Sequence, residues 1–318
     1  MNYILRTDLQ SVRAFAPATV ANVSCGFDIM GFAIEGSGDE VSLTPSAENK
    51  ITMSGPYGHL IPAAMEKNTA GVALLSFLQA IGQPQQGFHI ELKKNMPLGS
   101  GMGSSASSSA AVVFAANYFY NTPFSTSELI PFAMEGERLA SGTAHADNVA
   151  PSLLGGFVLI RNYQPLDICR VPCSNDLYCS VVHPHIELHT SDARKVLRRE
   201  IPLNQVIRQT ANTAGFMLGL LQNDHALMGR SMHDLLAEPL REQLIPGFKE
   251  ARLAAMEAGA IGCGISGSGP SVFALSNGLN RARDLATVIR QAFLKAGLDS
   301  ESFVSGMNVP GARILNNE

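Results

Sequence analysis

The segment that most constrains this chain is Pro97-Leu98-Gly99-Ser100-Gly101-Met102-Gly103-Ser104-Ser105-Ala106-Ser107. Before it, Phe88-His89-Ile90-Glu91-Leu92-Lys93 alternates apolar and polar residues, the period of a half-buried strand. After it, Ala106 to Tyr120 holds neither Gly nor Pro and is dense in alanine, which predicts a buried helix. Glycine at every second position of the intervening turn removes side chains where a ligand must meet backbone. It also permits positive φ, so that successive N–H groups converge on one point. The helix adds its free amides and the positive end of its dipole. Such a turn binds an anion, and phosphate fits it best. Ser104 and Ser105, at the helix start, are placed to cap it or to offer a hydroxyl to a metal on that phosphate.

Spacing excludes two nucleotide motifs. A P-loop carries Lys directly before its Ser/Thr, whereas Gly103 precedes Ser104. The dinucleotide fingerprint needs glycine where Ser104 stands and an acidic residue about twenty positions on, yet the first acidic residue after the loop is Glu128.

At 318 residues the chain is long for one core, and two domains are expected. The boundary is placed in the Pro- and Cys-containing segment from Arg170 to Asn175, giving residues 1–173 and 174–318. A 46% apolar and 16% charged composition suffices for such cores. The net charge of −4, without a Lys/Arg stripe, argues against nucleic acid or an anionic membrane as partner and leaves small polar ligands. Met1 to Gln10 lacks the features of a signal peptide and no membrane-length apolar run occurs, so a cytoplasmic location is expected. Five cysteines without a C-x-x-C pair indicate reduced, mostly buried thiols rather than disulfides or zinc. His183, His185 and His189 could be read as metal ligands, but Pro184 and the lack of acidic residues at suitable spacing favour packing in a loop.

In chain order, Val12 to Ala18 reads as a strand leading to Asn22 and Asp28, polar residues in an apolar setting with Gly26 and Gly31 nearby. They are suited to turn and cap chemistry or to facing a ligand, where Asp28 would pair with an ammonium group. Val41-Ser42-Leu43 and Ile51-Thr52-Met53 read as a hairpin, and Asn68 as the cap of a helix to about Ile81. A further helix is expected from Thr126 to Ser141, capped near Ser125 and carrying Glu135 and Glu137. His145, Asp147 and Asn148 form the densest polar cluster, expected on a loop after Gly142. Leu153 to Ile160 and Leu177 to Val182 read as strands. Helices are expected from Thr190 past Arg198 and Arg199, then over Asn204 to Gln222, Arg230 to Leu236, Gly247 to Ala258 and Ala282 to Ala296. Gly262 to Pro270 reads as a glycine-rich turn feeding a strand from Ser271 to Leu275, and Arg313 to Glu318 as a tail.

Three segments, Ala16 to Asp28, Pro97 to Ser107 and Gly264 to Pro270, together resemble the superfamily of small-molecule kinases named for galactose, homoserine, mevalonate and phosphomevalonate. Within it His145-Ala146-Asp147-Asn148-Val149-Ala150-Pro151 and Glu238-Pro239-Leu240-Arg241 are most similar to the homoserine kinase family. The resemblance implies an α+β, two-domain fold, with an ATP-binding amino-terminal domain like ribosomal protein S5 domain 2 and a ferredoxin-like carboxy-terminal domain, the active site lying between them. It also implies a left-handed β-α-β crossover. The implied reaction is phosphorylation of the L-homoserine hydroxyl by ATP with Mg²⁺, a step towards threonine.

The resemblance assigns roles residue by residue. Residues 97–107 cradle the phosphates with Asn68 beside the nucleotide, and Ser105 and Glu137 hold Mg²⁺. Asn22 and Asp28 meet the substrate ammonium, Arg194 and Arg241 its carboxylate, and His145 and Asp147 its hydroxyl end, with Thr190 and Gly267 contributing. Arg252 or Arg198 stands as a substitute for either arginine, and Lys93 or Lys94 as a residue reaching the nucleotide or as a surface lysine. Related kinases carry an aspartate base where this chain has Asn148, and an amide cannot take a proton. Either Asp147 assists or the hydroxyl attacks directly. A mevalonate- or sugar-specific kinase and a nucleotide binder without turnover are the competing readings, and a homodimer is left open.

Overall fold

Alternation along the chain decides which strand faces turn inward, and two sheets result. The structure, a computed structural model, describes residues 3–315. Its first half runs β1 (Val12–Ala21), β2 (Met30–Ser46), β3 (Lys50–Ser54), α1 (Thr69–Ala80), β4 (Gly87–Lys93), α2 (Ser104–Phe119), α3 (Ile130–Ser141), α4 (Ala146–Leu154), β5 (Phe157–Tyr163) and β6 (Leu166–Val171). The second runs β7 (Leu177–Pro184), α5 (Thr190–Lys195), α6 (Leu203–Gln222), α7 (His225–Ser231), α8 (Glu238–Arg241), α9 (Phe248–Glu257), β8 (Gly262–Ile265), β9 (Val272–Asn277), α10 (Leu279–Lys295), β10 (Ser300–Gly306) and β11 (Arg313–Leu315).

The first sheet has the order β11-β1-β2-β4-β3, with β5 also on β2 and β6 on β5. β2 serves two partners because it bends: residues 40–46 pair with β4, residues 30–32 with β5. Gly36 and Gly38 stand at the bend with positive φ, and the β1 register shifts between Pro17 and Thr19, where proline offers no donor. The second sheet is antiparallel, in the order β10-β7-β9-β8. Apolar side chains from both sheets and from α6 and α7 meet in one layer, where Phe32 stacks on Phe157 at 6.0 Å and meets Phe273 edge-on at 6.3 Å. Among the described residues no helix is long and apolar enough to cross a membrane.

Several expectations are corrected. β2 and β3 form no hairpin: β4 lies between them, antiparallel to β2 and parallel to β3, with α1 as the crossover. The 145–151 cluster is not on a loop. His145 is the N-cap of α4, which continues to Leu154, so the following strand starts only at Phe157. Pro151 suggests a break, yet α4 runs through it, and Gly31 of β2 packs directly on the Asp147 carbonyl that the missing amide would have bonded. The helix from Thr190 ends at Lys195, before Arg198 and Arg199. α7 lies earlier than expected because Asp224 caps it by accepting from the Leu227 amide. Gly262–Ile265 is a strand rather than part of the turn, since β9 supplies its ladder. Arg313–Leu315 is no tail but pairs with β1, and residues 316–318 lie outside the described residues.

Candidate active site

The glycine turn between β4 and α2 touches β1, α4, the 187–188 segment and the turn at 266–269. Gly99, Gly101 and Gly103 have φ of +58°, +77° and +69°. A Cβ on Gly99 would strike Glu187 and the Leu188 carbonyl, one on Gly101 the carbonyls of Ser266 and Gly269, and one on Gly103 the hydroxyl of Thr19 and the Asn148 amide. Gly103 is also the N-cap of α2 and has no side chain to cap it, so the first amides of α2 remain available to a ligand.

Beneath that helix start lies a buried ion pair. The Lys94 ammonium donates to Asp39, to the Ser104 carbonyl at 2.6 Å and to Ser108 Oγ at 2.9 Å. Asp39 also accepts from the Asn95 amide at 3.0 Å and the Ser108 hydroxyl at 2.6 Å. Lys94 has three donors and three acceptors, the condition under which a buried charge is tolerated. The pair fixes the first turns of α2 against β2.

A cavity of about 320 Å³ opens in front of this turn, between the two halves of the chain. At one end Ser105 Oγ donates to Glu137 Oε2 at 2.5 Å. Gly136 lets α3 approach closely enough to present Glu137, since a Cβ there would strike Ser109 and the Thr69 carbonyl. A hydroxyl and a carboxylate are an oxygen-only donor set that suits Mg²⁺. Among the described residues no group of three His, Cys, Asp or Glu could hold a metal, so such an ion would complete its shell from phosphate and water.

At the other end Asp28 receives both guanidinium nitrogens of Arg194, at 3.1 and 2.6 Å. Arg194 and Arg241 both lie over the Phe27 ring, at 5.4 and 5.3 Å from its centroid. Arg241 donates to the carbonyls of Ala193 at 3.1 Å and Gly267 at 3.0 Å, and burial lowers it to about 10. Asn22 performs the turn chemistry expected of it: its Oδ1 accepts from the Asp28 amide at 2.9 Å and its Nδ2 donates to the Gly267 carbonyl at 2.7 Å. Asn22, Val23, Ser24 and Asp28 all have positive φ, a costly run that includes a β-branched residue.

Between the ends stand His145, Asp147 and Asn148. Burial lowers His145 to about 4 against the opposing pull of Asp28, whose carboxylate is 3.9 Å away, so the imidazole is neutral at pH 7. Asp147 is pushed up to about 8, chiefly by burial and then by the carboxylates of Asp28 and Glu137. Asn148 Oδ1 accepts from the Thr19 hydroxyl at 2.7 Å. Four buried side-chain atoms lack a hydrogen-bond partner among the described residues, and two of them, Asp147 Oδ1 and Arg194 Nε, belong to residues of this cavity. Such atoms are what a bound ligand satisfies.

The cavity wall includes Asn68, Leu98 to Gly101, Gly103 to Ser105, Thr190 and Gly267, besides the residues above. Thr190 Oγ1 lies 3.3 Å from Ser268 Oγ. Four residues of the 97–107 stretch present no side chain to the cavity. Pro97 is not on the wall, Met102 and Ala106 are buried in the apolar layers, and the Ser107 hydroxyl is spent on the Ala16 carbonyl and the Asp39 amide. These positions serve the turn through backbone and packing. The Asn68 side chain is likewise committed, to the Ala70 amide and the Pro62 carbonyl. Arg252 pairs with Glu238 away from the cavity, and Arg198 is exposed outside it. Arg194 and Arg241, by contrast, line it.

Lys94 is neither a surface lysine nor free for a ligand. A signal for this existed in the sequence: Phe88, Ile90 and Leu92 point inward, and Lys94 shares their parity. Phe27 as the arginine platform was missed, as was Tyr163, whose hydroxyl donates to the Asp28 carbonyl at 2.7 Å.

Residues 68–156 match the GHMP kinases N terminal domain family and residues 216–295 the GHMP kinases C terminal family. The chain is 51% identical to a homoserine kinase of Chlorobium phaeovibrioides, over 96% of this chain and all of that one. The crystal structure of homoserine kinase from Cytophaga hutchinsonii superposes with a TM-score of 0.92 at 47% identity, covering 99% of this chain and 100% of that one. Mevalonate kinase from L. major, at 16% identity and a TM-score of 0.70 over 96% of this chain and 100% of that one, shares the fold.

Replacing Lys94 by Met leaves Asp39 buried and unpaired, and lowers unfolding free energy by about 3–5 kcal/mol. Lys94→Met/Asp39→Leu recovers part of the loss. Urea denaturation of both variants measures this, and a Lys94→Met loss under about 1 kcal/mol would remove the pair from the account of the loop.

Proposed function

The chain belongs to the homoserine kinase family of the GHMP kinases, and on that premise we propose that it transfers the γ-phosphoryl group of ATP to the side-chain hydroxyl of L-homoserine. ADP and O-phospho-L-homoserine are the products, in a cytoplasmic step towards threonine. The observation that carries this reading is the contrast between the two ends of one cavity: free helix amides beside a Ser–Glu pair at one, a carboxylate and two guanidinium groups at the other.

Homoserine is a zwitterion with a primary hydroxyl. Its ammonium suits Asp28, supported by Asn22, and its carboxylate suits Arg194 and Arg241 beside Thr190 and Gly267. In the structure Asp28 and Arg194 pair with each other. A zwitterion entering between them exchanges that one ion pair for two, so neither charge is left unpartnered. An alcohol lacking either charge breaks the pair without replacing it, and is disfavoured on electrostatic grounds.

The backbone of residues 98–105 holds the β- and γ-phosphates, and the α2 dipole favours the negative charge that spreads in transfer. Ser105 and Glu137 would hold Mg²⁺, which when bound neutralises charge on the phosphates. Catalysis of this kind is mainly positioning. Asn148, bonded to Thr19, takes no proton, and neutral His145 orients the substrate. Asp147 is the acidic group nearest in sequence to the position of the base in related kinases. As a carboxylate it assists departure of the hydroxyl proton during direct attack on the γ-phosphorus. Residues 1–173, whose sheet β11 joins from the end of the chain, act as the nucleotide half, and the rest of 174–318 completes the substrate end.

ADP release with L-homoserine, mevalonate and galactose side by side tests the substrate; turnover with either of the last two and none with homoserine would overturn the reading. Glu137→Gln is expected to abolish turnover while ATP still binds, and near-normal kcat would remove Glu137 from the metal site. Asp147 takes up a proton as pH falls through about 8, so kcat declines from pH 9 to pH 7. Asp147→Asn flattens that profile and lowers kcat at high pH by roughly 10- to 100-fold. An unchanged profile would mean that the proton leaves without Asp147.

A further inference from the structure

The helix that carries Arg241 is too short to hold itself. α8 has four residues, far below the length at which backbone bonds alone keep a helix in water, so the groups it touches decide where Arg241 stands. Arg241 is 2% exposed and forms no salt bridge among the described residues; its bonds go to the carbonyls of Ala193 and Gly267. A buried guanidinium held by neutral carbonyls is ready for a carboxylate, and the backbone beneath it sets its aim.

Asp234 fixes the start of this helix. Its Oδ1 accepts from the Leu236 amide at 2.7 Å and its Oδ2 from the Glu238 amide at 2.8 Å. Glu238 fixes the side. It lies one turn before Arg241 on the same face of α8, and it is 3% exposed. Its Oε2 accepts from the Ile265 amide at 3.2 Å and its Oε1 from Arg252 Nη1 of α9 at 2.6 Å. Ile265 ends β8 just before the turn that holds Gly267, and the Gly267 carbonyl receives both Arg241 and Asn22. α8 is thus clipped to one short segment twice, by Glu238 and by Arg241.

Neither Glu238 nor Arg252 lines the cavity. We propose that Glu238 is a positioning residue for the substrate carboxylate: by tying α8 to the end of β8 it aims the Arg241 guanidinium, while Arg252 holds its second oxygen. This rests on the proposed function, in which Arg241 meets the carboxylate of homoserine.

Steady-state kinetics of the full chain tests it, with L-homoserine as substrate and, as competitor, the amino diol in which the homoserine carboxylate is reduced to a hydroxymethyl group. The diol keeps the ammonium and the reacting hydroxyl but offers Arg241 no charge. Glu238→Ala leaves the Ile265 amide and Arg252 without their acceptor, and raises KM for homoserine by roughly 10- to 100-fold. Ki for the diol and KM for ATP stay within about threefold of wild type, a split that general loosening of the fold would not produce. Glu238→Gln keeps an acceptor for the Ile265 amide but turns an NH₂ group on Arg252, so KM rises by less. Glu238→Gln/Arg252→Gln replaces the ion pair by an amide pair and returns KM to within about threefold of wild type. Circular dichroism checks folding, and should Glu238→Ala not fold, the two glutamine variants carry the test. A homoserine KM unmoved in Glu238→Ala, a rise matched by Ki of the diol, or a double variant no better than Glu238→Gln would each overturn the inference. A wild type that does not phosphorylate homoserine would overturn the proposed function, and this inference with it.

Discussion

Four segments around the cavity meet the turn between β4 and α2 at a separation that a side chain would forbid. Gly99 admits the 187–188 segment, Gly101 the turn at 266–269, and Gly103 Thr19 of β1 with Asn148 of α4. The same three residues that free the amides of α2 also let both halves of the protein close around them. Anion binding and assembly of the site thus share one backbone constraint. The second half of the chain is held at this turn by main-chain bonds as well: the Leu188 amide donates to the Gly99 carbonyl at 3.2 Å and the Ser271 amide to the Ser100 carbonyl at 3.2 Å.

Charge is arranged around that turn by depth. The deepest charges, Lys94 and Asp39, cancel each other and serve geometry. Those at the wall are of mixed sign: Glu137 next to the free amides, Asp28 with Arg194 at the far end, Arg241 behind them. Asp147 holds its proton unusually tightly because it is buried and, secondarily, because the carboxylates of Asp28 and Glu137 are near; one of its oxygens has no partner among the described residues. The left-handed run of Asn22, Val23 and Ser24 stores strain at the substrate end.

Much of this was legible in the sequence, for physical reasons that differ by residue. The glycine turn was legible because its spacing is incompatible with regular structure and its flanks are strongly periodic. Two-domain α+β architecture and the family of kinases followed from ordered segments, and the domain matches and structural likeness bear both out. β3 was misplaced because pairing partners are chosen by non-local contacts that propensity does not encode. α4 was hidden by Pro151, which lies inside the helix. Lys94 looked superficial because lysines usually are, although its parity with Phe88, Ile90 and Leu92 pointed inward. That Asp28 and Arg194 bond to each other could not be read from residues 166 positions apart.

The central claim is that main-chain amides at the mouth of α2 grip the polyphosphate while Asp28 and the two arginines divide the amino acid's charges. A crystal structure with a non-hydrolysable ATP analogue, Mg²⁺ and L-homoserine measures this directly. The account predicts phosphate oxygens within hydrogen-bonding distance of amides in residues 99–105, with Asp28 parted from Arg194 and each bound to an opposite end of homoserine. Phosphates lodged away from that turn, or an Asp28–Arg194 pair still closed beside bound homoserine, would contradict it.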